Sequence, residues 1–298
     1  MKKVLAPISK TFSPKHSACA GCGMITALLL ITEAAGRDVI LTNATGCSEV
    51  TTSQYPNTFF KVPWMHGLFS NAGPLATGIA SALKYKKQND HTKVIVLAGD
   101  GATFDIGLGQ VSGLWQRGDD VLYICYDNEA YQNTGYQHSG ASPLDANTST
   151  APAGKESFGS PGNKKDMVGI ALAHQVPYVA TASVAYPEDL KNKVKKALTI
   201  KGSKYIQIIA PCIPGWGILA QEMMPAAKLI VQAGLYPIVE YTDGKLTGKI
   251  KIDKKIPVAE FLQTQGRFKH LFKDVAGKAE IKKIQKIADE NIKKYGLI

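Results

Sequence analysis

Apolar and polar positions along the chain fall into two regimes. Short, almost continuously apolar runs occur at 38–43 (DVILTN), 93–99 (KVIVLAG), 121–127 (VLYICYD), 177–181 (PYVAT) and 204–210 (KYIQIIA). Between them, helical spacing marks 24–35, 72–87, 105–117, 166–174 and 187–200. The last stretch opens with Pro187-Glu188-Asp189, a proline suited to a first turn and acids suited to the positive end of a helix dipole. Strands apolar on both faces and separated by helices predict a mainly parallel, doubly wound α/β sheet over residues 1–215.

Two stretches break the alternation. Residues 44–71 and 128–165 are long, polar and rich in Gly, Pro, Thr and Asn, and loops of this length in a compact domain usually carry function. Phe59, Phe60, Val62, Trp64 and Met65 punctuate the first of them and predict a surface that packs against another chain. Beyond Trp216 the pattern predicts a helix near 220–234, a hairpin around Thr242-Asp243-Gly244 and a lysine-rich helical tail. Residues 216–298 are therefore expected to form a C-terminal appendage rather than an independent domain.

With 298 residues, 45% of them hydrophobic and no low-complexity tract, the chain can bury a substantial core and is not disordered. Its longest apolar candidate, Met24 to Ile31, is far shorter than the roughly 20 residues that span a bilayer. The opening MKKVLAP breaks at Pro7 and makes a poor secretory signal. A soluble, cytoplasmic protein with no membrane partner is expected. The net charge is +11, and +7 of it lies between Tyr241 and Ile298, where 14 Lys/Arg meet 7 Asp/Glu. Those lysines alternate with acids and apolar residues at helical spacing, which predicts a solvated helix face rather than a nucleic-acid site. A basic edge also suits an acidic protein partner.

The five cysteines do not form a disulfide scaffold in a chain of this kind. Cys125 sits in an apolar run and predicts a buried thiol. Cys19, Cys22, Cys47 and Cys212 all lie within two residues of Gly or Pro, in CAGCG, TGCSE and APCIPG. The Cys19-Ala-Gly-Cys22 pair fits zinc, an iron–sulfur cluster or a redox dithiol. His16 could add a ligand. The two distant single cysteines make the set compatible with a four-iron–four-sulfur (4Fe–4S) cluster that staples three segments, and zinc stays open on spacing alone.

Gly99-Asp100-Gly101 closes the run 93–99, and Asn128 follows the run 121–127. A carboxylate and an amide oxygen at the carboxyl ends of parallel strands lie where open α/β sheets bind ligands. Such oxygens suit Mg²⁺ carrying a diphosphate, with the glycines allowing close approach and a helix from Asp105 onward assisting. GDG alone is weak; with the asparagine at this spacing it is fairly specific for thiamine diphosphate.

The motifs HSACAGCG, NATGCSEV, VPWMHGLFSNAG, GDGATFDIGLGQVSG, YICYDNEAYQNTG, APCIPGW and FLQTQGRFKHLF together resemble the β subunit of pyruvate:ferredoxin oxidoreductase and its 2-oxoacid relatives. The resemblance runs over almost the whole chain. It implies a thiamine diphosphate-binding α/β fold and oxidative decarboxylation of pyruvate to acetyl-CoA and CO₂, with electrons leaving through a 4Fe–4S cluster to ferredoxin. It implies that Cys19, Cys22, Cys47 and Cys212 ligate the cluster and that Asp100, Asn128 and the Ala130 carbonyl hold Mg²⁺. By the same resemblance Cys47, Gly99, Gly101, Ala102, Asn133 and Thr134 line the thiamine cofactor, Asn133 reaching the substrate as the catalytic residue. His138 and Gly217 depart from the arginines common in relatives, which weakens any inference about substrate or neighbouring subunit. No second, pyrimidine-binding domain is visible, so an α subunit is expected to supply it, with γ and δ subunits, ferredoxin, pyruvate and coenzyme A as further partners. Glu49, His66 and His174 are better read as hydrogen-bonded groups than as acid–base catalysts, and Trp64 and Trp216 as anchors. The alternatives are the same chemistry on a branched-chain or dicarboxylic 2-oxoacid, or a non-catalytic, metal-stabilised binding subunit.

Overall fold

The computed structural model describes residues 11–13, 15–54 and 59–298, so the opening MKKVLAP lies outside the described residues. Six parallel strands and an antiparallel hairpin form one eight-stranded sheet in the order β2-β1-β3-β4-β6-β5-β7-β8. The strands are β1 (Val39–Ala44), β2 (Trp64–Gly67), β3 (Lys93–Gly99), β4 (Val121–Asp127), β5 (Tyr178–Ser183), β6 (Lys204–Ile209), β7 (Val239–Thr242) and β8 (Lys245–Lys249). Every residue of β4, β5 and β6 is buried, as expected of strands apolar on both faces. The hairpin pairs through β7 with β5, so residues beyond 216 extend the same sheet.

Strand alternation divides the core. Ile95 and Leu97 point to the face covered by α1 (Gly23–Ala35) and α6 (Pro187–Thr199), whereas Val94, Val96 and Ala98 point to α3 (Ala72–Tyr85), α4 (Leu108–Arg117) and α5 (Met167–Ala173). On the first face, α8 (Met223–Gln232), α9 (Val258–Gln263) and α10 (Val275–Tyr295) complete the cover. The Asp274 side chain caps α10 by accepting from Gly277 N at 2.8 Å. No helix among the described residues is long and apolar enough to cross a membrane.

Three expectations change. Residues 44–71 are not one loop: they hold α2 (Cys47–Thr52) and the edge strand β2. Four residues with mixed burial give β2 too little pattern to be recognised in the sequence. Phe59, Phe60 and Val62 do not face a partner, because Phe12 bridges to Phe60 and all four join the core. Finally, the helical segment after Gly99 starts earlier than Asp105, as a π-helical turn at Gly101–Asp105 that runs on to α4.

Strand order places the first reversal of winding between β1 and β3. The chain leaves β1 toward β2 on one side, and β3 lies on the other. In open α/β sheets, ligand-binding crevices open at such a point, outside the carboxyl ends of the strands. Gly46-Cys47 follows β1 there, Asp100 follows β3, and Asn128 follows β4.

Candidate active site at the strand ends

Cys47, Gly99, Asp100, Gly101, Ala102, Asn128, Ala130, Asn133 and Thr134 line one cleft. Asp100 is buried, and its Oδ2 accepts the Ser139 hydroxyl at 2.5 Å. Burial, reinforced by the nearby Asp127 carboxylate, pushes its carboxyl well above the usual carboxylate range. One terminal atom of the Asn128 amide lies 2.9 Å from Asp100 Oδ1 and 2.9 Å from the Ala130 carbonyl oxygen. The amide nitrogen placed there donates to both; with the amide turned, its oxygen joins the Asp100 carboxyl and the Ala130 carbonyl as a third acceptor, an arrangement that a cation would satisfy. An octahedral Mg²⁺ shell at about 2.0–2.1 Å sets neighbouring oxygens about 3 Å apart, so the spacing suits that ion.

The backbone that makes this triad is strained and tied down. Glu129 adopts a positive φ of 67°, a conformation that costs a non-glycine residue about 1–3 kcal/mol. Its N–H donates to Asp127 Oδ1 at 3.1 Å, turning the chain at the strand end. The Glu129 carboxylate meets Lys164 at 3.0 Å and Arg267 at 2.6 Å, and Lys164 also meets Asp127 at 2.5 Å. Burial opposes ionisation of Glu129, but the two cations hold its carboxyl below the ordinary range. Three buried carboxylates (Asp100, Asp127, Glu129) thus face two cations, and the uncompensated one is Asp100, at the cleft.

Packing by itself requires glycine at 101. A Cβ there would lie 2.2 Å from the nearest Tyr131 ring carbon, and the Tyr131 hydroxyl donates to the Gly101 carbonyl at 3.3 Å. Tyr126 closes the floor, its hydroxyl 2.7 Å from Ser48 Oγ at the start of α2. Asn133 and Thr134 are exposed at the mouth, and Thr134 Oγ1 donates to Gln137 at 2.6 Å.

The cysteine set borders the same cleft through Cys47. Gly23 N donates to the Pro211 carbonyl at 3.3 Å, and a Cβ on Gly23 would sit 2.7 Å from that oxygen, so Cys22 is brought beside the segment of Cys212. Burial raises the Cys47 thiol far above its ordinary range, with Cys212, Cys22, Asp100 and Cys19 adding to it. Cys212 is pushed up to about 12, chiefly by burial, with Cys22 and Cys19 adding. Their mutual influence puts four thiols from three segments in one neighbourhood. Among the described residues, no three His, Cys, Asp or Glu side chains as they stand form a group that could hold a metal ion. Cys125 is fully buried on the opposite face of the sheet, among the α3 and α4 contacts.

The remaining candidates have ordinary partners. His16 Nδ1 accepts from Ala18 N at 3.3 Å, His174 Nε2 lies 3.1 Å from Ser112 Oγ, and His66 lies 3.6 Å from Glu49. Trp216 is fully buried, and Trp64 stacks with His66 and Phe60. Sequence reasoning missed Ser139, Tyr131, Lys164 and Arg267. Lys164 and Arg267 reach Glu129 from 35 and 138 residues away, and no local pattern announces either.

The protein is a thiamine diphosphate-binding enzyme by its fold family: residues 44–208, which include the switch-point cleft, match the family model "Thiamine pyrophosphate enzyme, C-terminal TPP binding domain". The chain is 49% identical to pyruvate synthase subunit PorB of Methanosarcina barkeri, over 95% of each protein. It is 42% identical to ketoisovalerate oxidoreductase subunit VorB of Pyrococcus abyssi, over 92% of this chain and 90% of that one. A 2-oxoglutarate:ferredoxin oxidoreductase from Magnetococcus marinus, solved with 2-oxoglutarate, coenzyme A and succinyl-CoA bound, shares the fold. There the TM-score is 0.59 at 23% identity, over 76% of this chain and 82% of that one. The chain belongs to the PorB subunit family of the 2-oxoacid:ferredoxin oxidoreductases, pyruvate synthase type.

Proposed function

We propose that this chain is the β subunit of a pyruvate:ferredoxin oxidoreductase, holding the diphosphate half of thiamine diphosphate through Mg²⁺ and a 4Fe–4S cluster beside it. The observation that carries the reading is the convergence of the Asp100 carboxyl, the Asn128 amide and the Ala130 carbonyl at the β1/β3 switch point with Cys47 in the same cleft, which becomes an oxygen triad when the amide turns its oxygen inward. Asp100, Asn128 and the Ala130 carbonyl would hold Mg²⁺, and Cys19, Cys22, Cys47 and Cys212 the cluster. A single zinc needs its sulfurs about 2.3 Å from one point. A cubane would take each thiolate at a separate iron and so could join thiols brought from three separate segments.

Thiamine diphosphate supplies the electron sink for decarboxylation, and the cluster accepts electrons singly. The chain's own residues orient and enclose. Gly99, Gly101, Ala102 and Thr134, which line the cleft, would border the diphosphate, and the exposed Asn133 amide at the mouth would reach the substrate. An α subunit would supply the pyrimidine-binding domain, with γ and δ subunits, coenzyme A and ferredoxin completing turnover to acetyl-CoA and CO₂. The similarity to a ketoisovalerate oxidoreductase subunit supports a second reading, the same chemistry on a branched-chain 2-oxoacid. The test is anaerobic purification of the complex, iron, sulfide, Mg²⁺ and thiamine analysis, and ferredoxin reduction with a panel of 2-oxoacids. Pyruvate is expected to give the highest kcat/KM. A colourless zinc protein without thiamine overturns the proposal.

A further inference from the structure

Asn128 is gripped through its backbone as well as its side chain. Trp216 Nε1 donates to the Asn128 carbonyl at 3.0 Å, and Gln132 Nε2 donates to the same oxygen at 2.7 Å. Trp216 ends the four-residue helix α7 (Ile213–Trp216), whose N-cap is Cys212, and Trp216 N donates back to the Cys212 carbonyl at 2.9 Å. The Arg267 guanidinium lies 4.0 Å over the indole and is fixed by Glu129 at 2.6 Å and Gln265 at 2.9 Å. On the other side, Gln132 Oε1 occupies the space a side chain on Gly215 would fill, and no protein donor reaches that buried oxygen. The Asn128 peptide is planar and leads into Glu129, whose torsion is held by its ion pairs. A shift of α7 therefore moves the Asn128 peptide and, with it, the oxygen triad.

We propose that Trp216 is a positioning residue that couples the thiol set to the oxygen triad, so that filling the sulfur centre at Cys212 sets α7 and pre-forms the cation site at Asn128. The inference rests on the cofactor assignment proposed above. Linkage makes the coupling reciprocal: bound Mg²⁺ and thiamine diphosphate tighten the sulfur centre by the same factor.

The test uses the complex purified with its partner subunits, iron-loaded or stripped anaerobically with a chelator. The readout is the Mg²⁺-dependent Kd for thiamine diphosphate, measured by calorimetry. Iron removal is expected to weaken binding about tenfold in the wild type, the scale of a lost outer-shell contact to a metal ligand. Trp216→Phe keeps a ring beneath Arg267 and removes only the donor. It should retain iron, bind thiamine diphosphate as weakly as the stripped wild type, and show no further change on stripping. A purely structural defect weakens both states equally and preserves the tenfold ratio, which would overturn the coupling. Gln132→Met removes the second donor and the wedge against Gly215, and it should shrink the ratio too. If Trp216→Phe does not assemble, an unchanged ratio in Gln132→Met overturns the proposal. A wild type lacking iron or thiamine affinity sinks the cofactor assignment, and the coupling with it. A loaded wild type indifferent to iron removal sinks the coupling alone.

Discussion

Asp100 shows how one side chain can be legible in sequence while its environment is not. Its place after a continuous apolar strand, between two glycines, marks a strand-end ligand. Only the fold shows that Asp127 and Glu129 are paired with Lys164 and Arg267, leaving Asp100 without a cationic partner among the described residues. Asp100→Ala should therefore purify without thiamine diphosphate and keep its iron, as metal and cofactor analysis would show. Retention of the cofactor would reduce the GDG triplet to a turn. Cys125→Ala should leave iron content unchanged, since that thiol lies on the far face of the sheet, and iron loss would contradict the assignment of the other four.

At the scale of elements, function depends on close approaches that glycines permit. Gly23 at the start of α1 lies against the Pro211 carbonyl, and Gly23→Val would push the Cys19–Cys22 turn away from Cys212. We expect loss of iron with the sheet intact, read by iron analysis alongside far-ultraviolet circular dichroism. The contact between the 128–165 loop and α10 has a pH signature. Burial and the neighbouring Glu280 push the Asp145 carboxyl up to about 6, against the opposing pull of Lys283. A carboxyl raised in the fold contributes stability while protonated, and that contribution is lost as pH rises through the folded value. The Tm of the wild type should fall relative to Asp145→Asn as pH rises from about 4 to about 6, between the unfolded and folded values. Parallel curves would show that the carboxyl titrates normally.

For the whole molecule, one doubly wound sheet supplies one ligand-binding crevice. Leu68 and Ile106, which follow β2 and β3 at the carboxyl ends of the strands, are 70% and 56% accessible, and Met65 in the edge strand β2 is 48% accessible. A partner that completes the cofactor site would cover them. The isolated chain, reconstituted with Mg²⁺, thiamine diphosphate and iron, should show no 2-oxoacid-dependent dye reduction, and activity should return on adding the α subunit. Turnover by the chain alone would mean that the pyrimidine-activating carboxylate resides in it.

The sequence by itself determined the alternation of buried strands and covering helices, because burial on both faces leaves a continuous apolar run that periodicity can read. It also marked the strand-end Asp100 and Asn128 and set the four Gly/Pro-flanked cysteines apart from Cys125, because those signals are local. Tertiary structure alone decided that β7 and β8 extend the main sheet, that Phe59 and Phe60 turn inward, and that Trp216 and Arg267 stand behind Asn128. Those contacts join residues many tens of positions apart. Their partners are chosen by packing and by the cost of an unpaired buried charge, and neither leaves a period or a motif in the chain.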